Sequence, residues 1–266
     1  MNKHSTMADG AFELKYTRYQ HSGWQEVDGA VIEEAAVQLH LNGLELATLM
    51  CTPYNLDCLA LGFLRAERLI EELDDVQLLQ VTPRRCCVDI WLRDLTIQPP
   101  KRRIITSGCS GGLTFDDLSR LQPPVNSNHV LTPAQVFDLM DQLYAAARLY
   151  RLTRGVHASA LSDGEKLVAV AEDVGRHNTL DKLQGYAMLH NVNTRDKIIL
   201  STGRISSEML NKAARMEVPI VISRTSATSL SIQLAQAWNI TLIGYARRHS
   251  MRVYAGEQRL LTVPTR

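Results

Sequence analysis

Apolar and polar residues alternate along the first part of the chain with periods typical of both strands and helices. Residues 37–46 alternate with a period of two around Asn42-Gly43, which predicts a β-hairpin because this pair tolerates positive φ. A helical period follows from a predicted N-cap at Asn55 to about Leu73. Two further strands are predicted, at residues 76–81 and 86–92. This region predicts a small α+β unit.

Strands and helices alternate regularly in the second half. Thr132 as N-cap, Pro133 at the first helical position and Gln135 in a capping box predict the start of a helix. A hairpin turning at Asp163-Gly164 follows. The remaining predicted elements are helix 178–189, strand 197–202, helix 206–216, strand 219–223, helix 228–238 and strand 240–245. This alternation of strands and helices is typical of a parallel sheet covered by helices, which is an α/β fold.

The segment "LQPPVNSNH", residues 121–129, has the composition of a linker. It divides the chain into a predicted N-terminal α+β domain, residues 1–127, and a second domain, residues 128–266. The first ten residues show no periodicity and are expected to form a loose tail.

Composition restricts the classes of function. With 21% charged residues, 45% apolar residues and a net charge of +1, the chain has no general basic field to attract nucleic acid, so an anion site must be local. It has neither a signal-peptide pattern nor the ~18 consecutive apolar residues of a membrane span. Five cysteines without framework spacing favour a reducing compartment. We therefore expect a soluble cytoplasmic protein.

Arginines and hydroxyl side chains follow three of the predicted strands, in "STGRISSE", "SRTSATS" and "YARRHS". The arginines are Arg204, Arg224, Arg247 and Arg248, and the hydroxyl residues include Ser201, Thr202, Ser206, Ser223, Thr225 and Ser250. Since the carboxyl ends of parallel strands meet at one edge, these loops predict a pocket for a phosphate-bearing ligand. Ordinary surface loops are the open alternative.

A second polar cluster lies in "AEDVGRHNTLDK", residues 171–182. Here His177 with Asp173 could shuttle a proton, and Asn178 could cap the next helix. A rigid, salt-bridged turn is the alternative. His157, on a strand of small apolar residues, is either a further proton-handling group or a core histidine.

The segment "TSGCSGG" presents Cys109 among Gly108, Gly111 and Gly112, which remove side-chain obstruction and can turn N–H groups toward a thiolate. An incidental free thiol is the alternative. The adjacent pair Cys86-Cys87 is expected to face opposite sides of a strand. Because the chain has no C-x-x-C, no H-E-x-x-H and no histidine two positions before a glutamate, no bound zinc is expected.

Seven segments together resemble a known family. They are "EEAAVQLHLNG", "MCTPYNLDCLALGFLRAERLI", "SGCSGG", "RGVHASAL", "EDVGRHNTLDK", "STGRISSEMLNKAA" and "ITLIGYARRHSMRVYAGEQRL". In this order they strongly resemble the formate dehydrogenase accessory sulfurtransferases, over about residues 31–261.

The resemblance implies transfer of sulfane sulfur, as a cysteine persulfide, from a cysteine desulfurase to bis-molybdopterin guanine dinucleotide, the cofactor of formate dehydrogenase. It also implies a cytidine-deaminase-like three-layer α/β domain without zinc, and a homodimer. The implied persulfide carrier is Cys109. The residues expected at the cofactor are Tyr245, Ala246, Arg247, Arg248, His249 and Ser250, together with Arg204 and Ser206.

The chain departs from the family pattern at one position. The usual motif is C-x-x-C, and Gly112 stands where its second cysteine would be. Either Cys109 carries sulfur alone, or the protein is a non-catalytic chaperone that only binds the cofactor. The first is favoured, because attack on a persulfide needs a single thiolate. A nucleotide-hydrolysing enzyme is disfavoured because the chain lacks a G-x-x-x-x-G-K-[ST] loop.

Overall fold

The computed structural model describes residues 10–100 and 122–261, together with the backbone of residues 6–8, 104–105 and 113–114. The first sheet is an antiparallel arm in the order β1-β2-β3. Its strands are β1 (Thr6–Ala8), β2 (Ala11–Gln20) and β3 (Gly23–Ile32). The β2–β3 hairpin was not predicted from the sequence, because most of its side chains are exposed and show no apolar alternation. Ala11 is its buried contact, packed with Leu149 and Val156.

The second sheet has the order β5-β4-β7-β6, with β4 parallel to β7. Its strands are β4 (Ala35–Leu41), β5 (Leu44–Cys51), β6 (Val76–Val81) and β7 (Cys87–Leu92), and helix α1 (Leu56–Ala66) packs on it. The predicted hairpin is confirmed, with positive φ at both Asn42 and Gly43. A short backbone ladder, β8 (Ile104–Ile105) with β9 (Leu113–Thr114), follows.

The predicted start of α1 is confirmed, but its predicted end was wrong. Asn55 is the N-cap residue, with a φ of +50° and no capping hydrogen bond from its side chain. The helix ends at Ala66, well before Leu73, because the chain turns through a left-handed residue, Arg68, and then forms a short 3-10 turn over Leu73–Asp75. Periodicity alone did not reveal this stop, since the residues after it remain partly apolar.

The third sheet has six strands in the order β11-β10-β12-β13-β14-β15. The strands are β10 (His157–Ser162), β11 (Leu167–Asp173), β12 (Ile198–Ser201), β13 (Ile220–Ser223), β14 (Thr241–Arg247) and β15 (Ser250–Ala255). Strands β12, β13 and β14 are parallel, as predicted. Strands β10 and β15 flank these three strands in antiparallel pairing. The sheet is therefore mixed.

Helices cover both faces of this sheet. They are α2 (Pro133–Ala146), α4 (Arg176–Leu189), α5 (Ser207–Arg215) and α6 (Ser229–Ala237), whereas the short α3 (Arg148–Thr153) contacts β3 of the arm. The capping box of Thr132 and Gln135 at the start of α2 is confirmed. In β12, Ile198 and Leu200 pack with α2, whereas Ile199 packs with α4, α5 and α6 on the other face. Among helices of the described residues, none combines the length and apolar character needed to cross a membrane.

Helices α1 and α4 cross at glycines. A Cβ on Gly62 would overlap the carbonyl group of Asp181, and one on Gly185 would overlap that of Cys58. Gly62 therefore has the close-packing role that its place inside a helix suggests. The contact spans the boundary predicted at residues 121–129, and the division into two domains stays a prediction.

The helix crossing makes a testable prediction for Gly185→Ala. This substitution usually stabilises an open helical position by about 0.5–1 kcal/mol, but here the new methyl group meets backbone that cannot rotate away. We expect the free energy of unfolding to fall by about 1–3 kcal/mol in urea denaturation. As a comparison, Gly155→Ala should cost less than Gly185→Ala, because its Cβ would lie 3.1 Å from the side chain of Ile32, which can move, and not against backbone. A stabilised Gly185→Ala protein would contradict the crossing.

Candidate functional site

The carboxyl ends of β12 and β13 are held together by buried hydroxyl groups. Ser201 pairs with Ser223 in the parallel register. The Ser223 hydroxyl donates to the Gly203 carbonyl oxygen at 2.7 Å and accepts from the Thr225 backbone N–H at 2.9 Å. The Arg224 backbone N–H donates to the Ser201 carbonyl oxygen at 2.9 Å. These bonds bring the loops after the two strands to one edge, as the sequence predicted.

The loop between β14 and β15 completes this edge with unusual backbone geometry. Tyr245 has a φ of +52° at an irregularity in the β14–β15 register, and Arg248 has the same φ in the two-residue turn that follows. A Cβ on Gly244 would lie 2.8 Å from the Thr225 carbonyl oxygen, so glycine permits the close approach of this loop to the next. The strain is concentrated beside a cavity, where functional sites commonly store it.

A cavity of about 780 Å³ opens at this edge. Its lining residues are Phe137, Met140, Asp141, Tyr144, Arg154, Arg224, Ala246, Arg247, Arg248, His249 and Ser250. The predicted cofactor residues 246–250 thus share one cavity. Tyr245 lies just behind it, with its ring beneath the guanidinium groups of Arg247, at 5.6 Å, and Arg252, at 4.2 Å.

Two arginines of the cavity are anchored by groups on neighbouring elements. Arg224 donates from Nη1 to the Tyr150 hydroxyl at 3.1 Å and lies 4.6 Å from the centre of the Tyr144 ring. The Nε of Arg247 donates to the Arg224 carbonyl oxygen at 2.9 Å. Such anchoring leaves each planar guanidinium with further donors for a ligand.

The opposite wall comes from α2 and was not predicted. Burial raises the pKa of Tyr144 despite the opposing charge of Arg224, so its phenol stays protonated at neutral pH. The sequence pattern of α2 shows which face is buried in the core, but no motif marks Phe137, Asp141 or Tyr144 as cavity residues. Arg154, after α3, was missed for the same reason.

Arg204 and Ser206 do not line this cavity. Arg204 is exposed, and Ser206 caps α5 by accepting from the Met209 backbone N–H. The Ser206 hydroxyl also lies 3.2 Å from Nε2 of His177, which in turn is 3.4 Å from a carboxylate oxygen of Glu208. Ser206, His177 and Glu208 form a separate cluster at the start of α5.

His177 is buried in this second cluster. Burial, with the positive charges of Arg176 and Lys212, lowers its pKa from 6.5 to about 3. The ring is therefore neutral at pH 7 and serves as a hydrogen-bonding group there.

The expected pair of His177 with Asp173 is not formed. Asp173 is fully buried and binds Lys182 Nζ at 2.6 Å, and it accepts from the backbone N–H groups of Thr52 and Gly175. Asn178 does not cap α4, because it donates instead to Asp173 and to the Met50 carbonyl oxygen. This part of the segment is the rigid, salt-bridged turn of the alternative interpretation.

His157 lies opposite Asp173 in the β10–β11 register and is half-buried. Burial and the charge of Arg176 lower its pKa, and Asp173 opposes this shift. Proton-handling roles for His157, Asp173 and His177 stay predictions. Cys109 and Gly112 lie outside the described residues, so the persulfide role of Cys109 also stays a prediction.

Sequence comparisons show that the chain is similar to the members of one protein family. The model of the FdhD/NarQ family matches residues 32–261. A sulfur carrier protein FdhD from Bacillus licheniformis is 36% identical over 252 residues, which cover 92% of this chain and 95% of that protein. A sulfur carrier protein FdhD from Staphylococcus haemolyticus is 33% identical, with 91% of this chain and 94% of that protein covered.

A solved structure is also similar. It is the crystal structure of a protein from Desulfotalea psychrophila described as a formate dehydrogenase accessory protein. The TM-score is 0.79 at 26% identity, and the match covers 95% of this chain and all of that chain.

The low pKa of His177 predicts how stability depends on pH. Since the folded pKa of about 3 lies below the ordinary 6.5, the unfolded chain binds more protons between these values, and stability falls as the pH decreases from 6.5. His177 contributes a slope of up to about 1.4 kcal/mol per pH unit. In NMR titration its ring should not protonate between pH 8 and 5.

The variant His177→Gln should show a shallower loss of unfolding free energy on acidification, whereas His21→Gln, at an exposed turn, should match the parent. A His177 resonance that titrates near pH 6.5 would contradict the buried, neutral assignment.

Proposed function

This chain belongs to the FdhD/NarQ family, and on that basis we propose that it is a sulfur carrier that serves a formate dehydrogenase. In this proposal, Cys109 receives sulfane sulfur from a cysteine desulfurase as a persulfide. The sulfur then passes to the molybdenum of bis-molybdopterin guanine dinucleotide, which is the substrate of the second transfer.

The observation that carries the proposal is the arginine-lined cavity at the carboxyl ends of the parallel strands. Its volume of about 780 Å³ lies within the range of about 300–1,000 Å³ found for ligand sites. Arg224, Arg247 and Arg248 supply planar forks suited to phosphate oxygens. The aromatic wall of Phe137 and Tyr144 offers apolar surface to a nucleotide base. An anionic nucleotide tail matches both features.

The first transfer is a thiolate exchange. The Cys109 thiolate attacks the outer sulfur of the desulfurase persulfide, a new S–S bond forms, and the desulfurase thiolate leaves. The proton stays on the outer sulfur, so atoms and electrons balance without an oxidant. One cysteine suffices for this step, which is compatible with Gly112 at the position of the second motif cysteine.

In the second transfer the persulfide loses its proton to solvent, and the outer sulfur then leaves Cys109 and becomes a sulfide on the acceptor. This change takes two electrons, which the reduced molybdenum of the substrate supplies, and the Cys109 thiolate is released. The protein's part is to hold the nucleotide tail, so that the reacting atoms meet as neighbours within one complex. We propose that Ser206 and His177 of the second cluster, together with Arg204 and His157, contact the remainder of the cofactor or handle protons during the transfer.

Three further parts of the proposal concern the fold, the cellular location and the assembly of the protein. The three-layer domain is proposed to be cytidine-deaminase-like, and the protein to act in the cytoplasm. We propose a homodimer, with the β2–β3 arm as a contact, because that arm exposes the aromatic side chains of Tyr16, Tyr19 and Trp24. Trp24 is 73% exposed.

Affinity for GDP tests the cavity. Removing one guanidinium should cost about 1.5–3 kcal/mol of charge-assisted hydrogen bonding, so Arg247→Ala should bind GDP about 10- to 100-fold more weakly in calorimetry. Arg195→Ala is the matched control, because Arg195 is exposed and pairs with Glu217. Equal affinity in the parent and in both Arg247→Ala and Arg224→Ala would exclude the cavity as the nucleotide site.

Sulfur loading tests the carrier role. After incubation with a cysteine desulfurase and cysteine, mass spectrometry should find one added sulfur atom on the peptide containing Cys109. Cys109→Ala should abolish activation of the client formate dehydrogenase, whereas Cys86→Ala, at an exposed position, should preserve it. Full activation by the Cys109→Ala protein would reject transfer and support the non-catalytic chaperone.

A further inference from the structure

Three different metal-ligating side chains converge on the second sheet, away from the cavity. They are His40 on β4 and Cys87 and Asp89 on β7. Nδ1 of His40 lies 2.9 Å from an Asp89 carboxylate oxygen and 3.2 Å from the Cys87 sulfur. The sulfur and the same carboxylate oxygen are 3.7 Å apart.

Strand pairing fixes this arrangement. Strands β4 and β7 are parallel, with Gln38 opposite Cys87 and His40 opposite Asp89. Because Cys87 and Asp89 are two positions apart, their side chains lie on one face of the sheet, and His40 shares that face. The ligand atoms are therefore placed by backbone hydrogen bonds.

Hydrogen bonds also connect the three side chains. The Cys87 thiol donates to a carboxylate oxygen of Asp89, and Nδ1 of His40 lies within hydrogen-bonding distance of that oxygen and of the sulfur. A nucleophile–base–orienter triad is not formed, because it uses the two different ring nitrogens. With the thiol and the ring nitrogen deprotonated, a nitrogen, a sulfur and an oxygen within 4.8 Å of one another form a donor set suited to a cation.

We propose that His40, Cys87 and Asp89 form a binding site for a divalent transition metal, with zinc the best fit. Imidazole, thiolate and carboxylate are all zinc ligands, and bonds of about 2.0–2.3 Å put tetrahedral ligand atoms roughly 3.3–3.6 Å apart. The observed separations between the ligand atoms are 2.9, 3.2 and 3.7 Å, so two lie below this range and one lies just above it. Three protein ligands leave a fourth position for water or another group.

The surroundings favour a cation. A bound cation would relieve the repulsion between a Cys87 thiolate and the Asp89 carboxylate, whose sulfur and oxygen atoms lie 3.7 Å apart. The side chains of His40 and Asp89 remain 31% and 40% exposed, so an ion can enter from solvent. A bound metal would link strands whose ligands lie 47 residues apart in the chain.

This site differs from the zinc sites excluded by sequence spacing. That exclusion covered ligands close together in the chain, whereas here a parallel strand pair brings distant residues together. The inference is independent of sulfur transfer, since none of its residues lines the arginine cavity.

Cobalt binding tests the site in the full chain carrying Cys109→Ser, which removes a competing thiol. Titration with Co²⁺ should give a thiolate-to-cobalt charge-transfer band that saturates at one ion per chain. The band should vanish in Cys87→Ser and in His40→Gln, and persist in Cys86→Ser, a neighbouring exposed thiol. Circular dichroism of each variant confirms that the sheet is folded.

Zinc affinity, measured by competition with a chelating dye, gives the second readout. Loss of an outer-shell partner alone typically weakens metal binding about 10- to 100-fold, so Cys87→Ser should weaken zinc binding at least on the order of tenfold. The proposal is overturned if the Cys109→Ser protein gives no charge-transfer band. It is equally overturned if folded Cys87→Ser keeps the band, or if Cys86→Ser loses it.

Discussion

The in-register pairing of β12, β13 and β14 is the constraint on which the candidate site depends. Because these strands run in the same direction, their carboxyl ends meet, and the chain must leave the sheet there as three adjacent loops. The buried Ser223 hydroxyl ties two of these loops by donating to the Gly203 carbonyl oxygen at 2.7 Å, and the Ser201 hydroxyl accepts from the Gly203 N–H within its own loop. The third is brought against them by Gly244 and by the Tyr245 N–H, which donates to Thr225. This scaffold places Arg224, Arg247 and Arg248 around one cavity, where they can bind a shared anion.

A second constraint joins the smaller sheet to the larger one. The glycine crossing of α1 and α4 brings backbone close to backbone, and buried ion pairs surround it, Lys182 with Asp173 and Lys212 with Asp181. Burial raises the pKa of Asp181 to about 6, with Lys212 opposing the shift. Such pairs are costly to desolvate, and breaking one partner leaves an uncompensated charge. The dense polar segment at residues 171–182 therefore serves the junction between the sheets as well as the edge of the site.

Local signals in the sequence predicted some turns and caps, whereas others failed, such as the end of α1 and the cap expected from Asn178, and nonlocal pairing accounts for the remaining misses. The Asn42-Gly43 turn and the Thr132 capping box are determined by neighbouring residues, and both are confirmed. The β2–β3 arm has little buried surface, so it gives no apolar alternation. The cavity wall of α2 and the cluster at His40 depend on which elements pack together, and spacing along the chain does not contain this information. The strand-end arginines were predictable because the order of strands and helices already implies a common edge.

A crystal structure of the protein with GDP tests the central claim most directly. The account predicts phosphate oxygens within hydrogen-bonding distance of the Arg224 and Arg247 guanidinium groups, and the nucleotide inside the cavity beside Tyr144. A nucleotide bound elsewhere on the protein, with these arginines still engaged only by their neighbours in the chain, would contradict it.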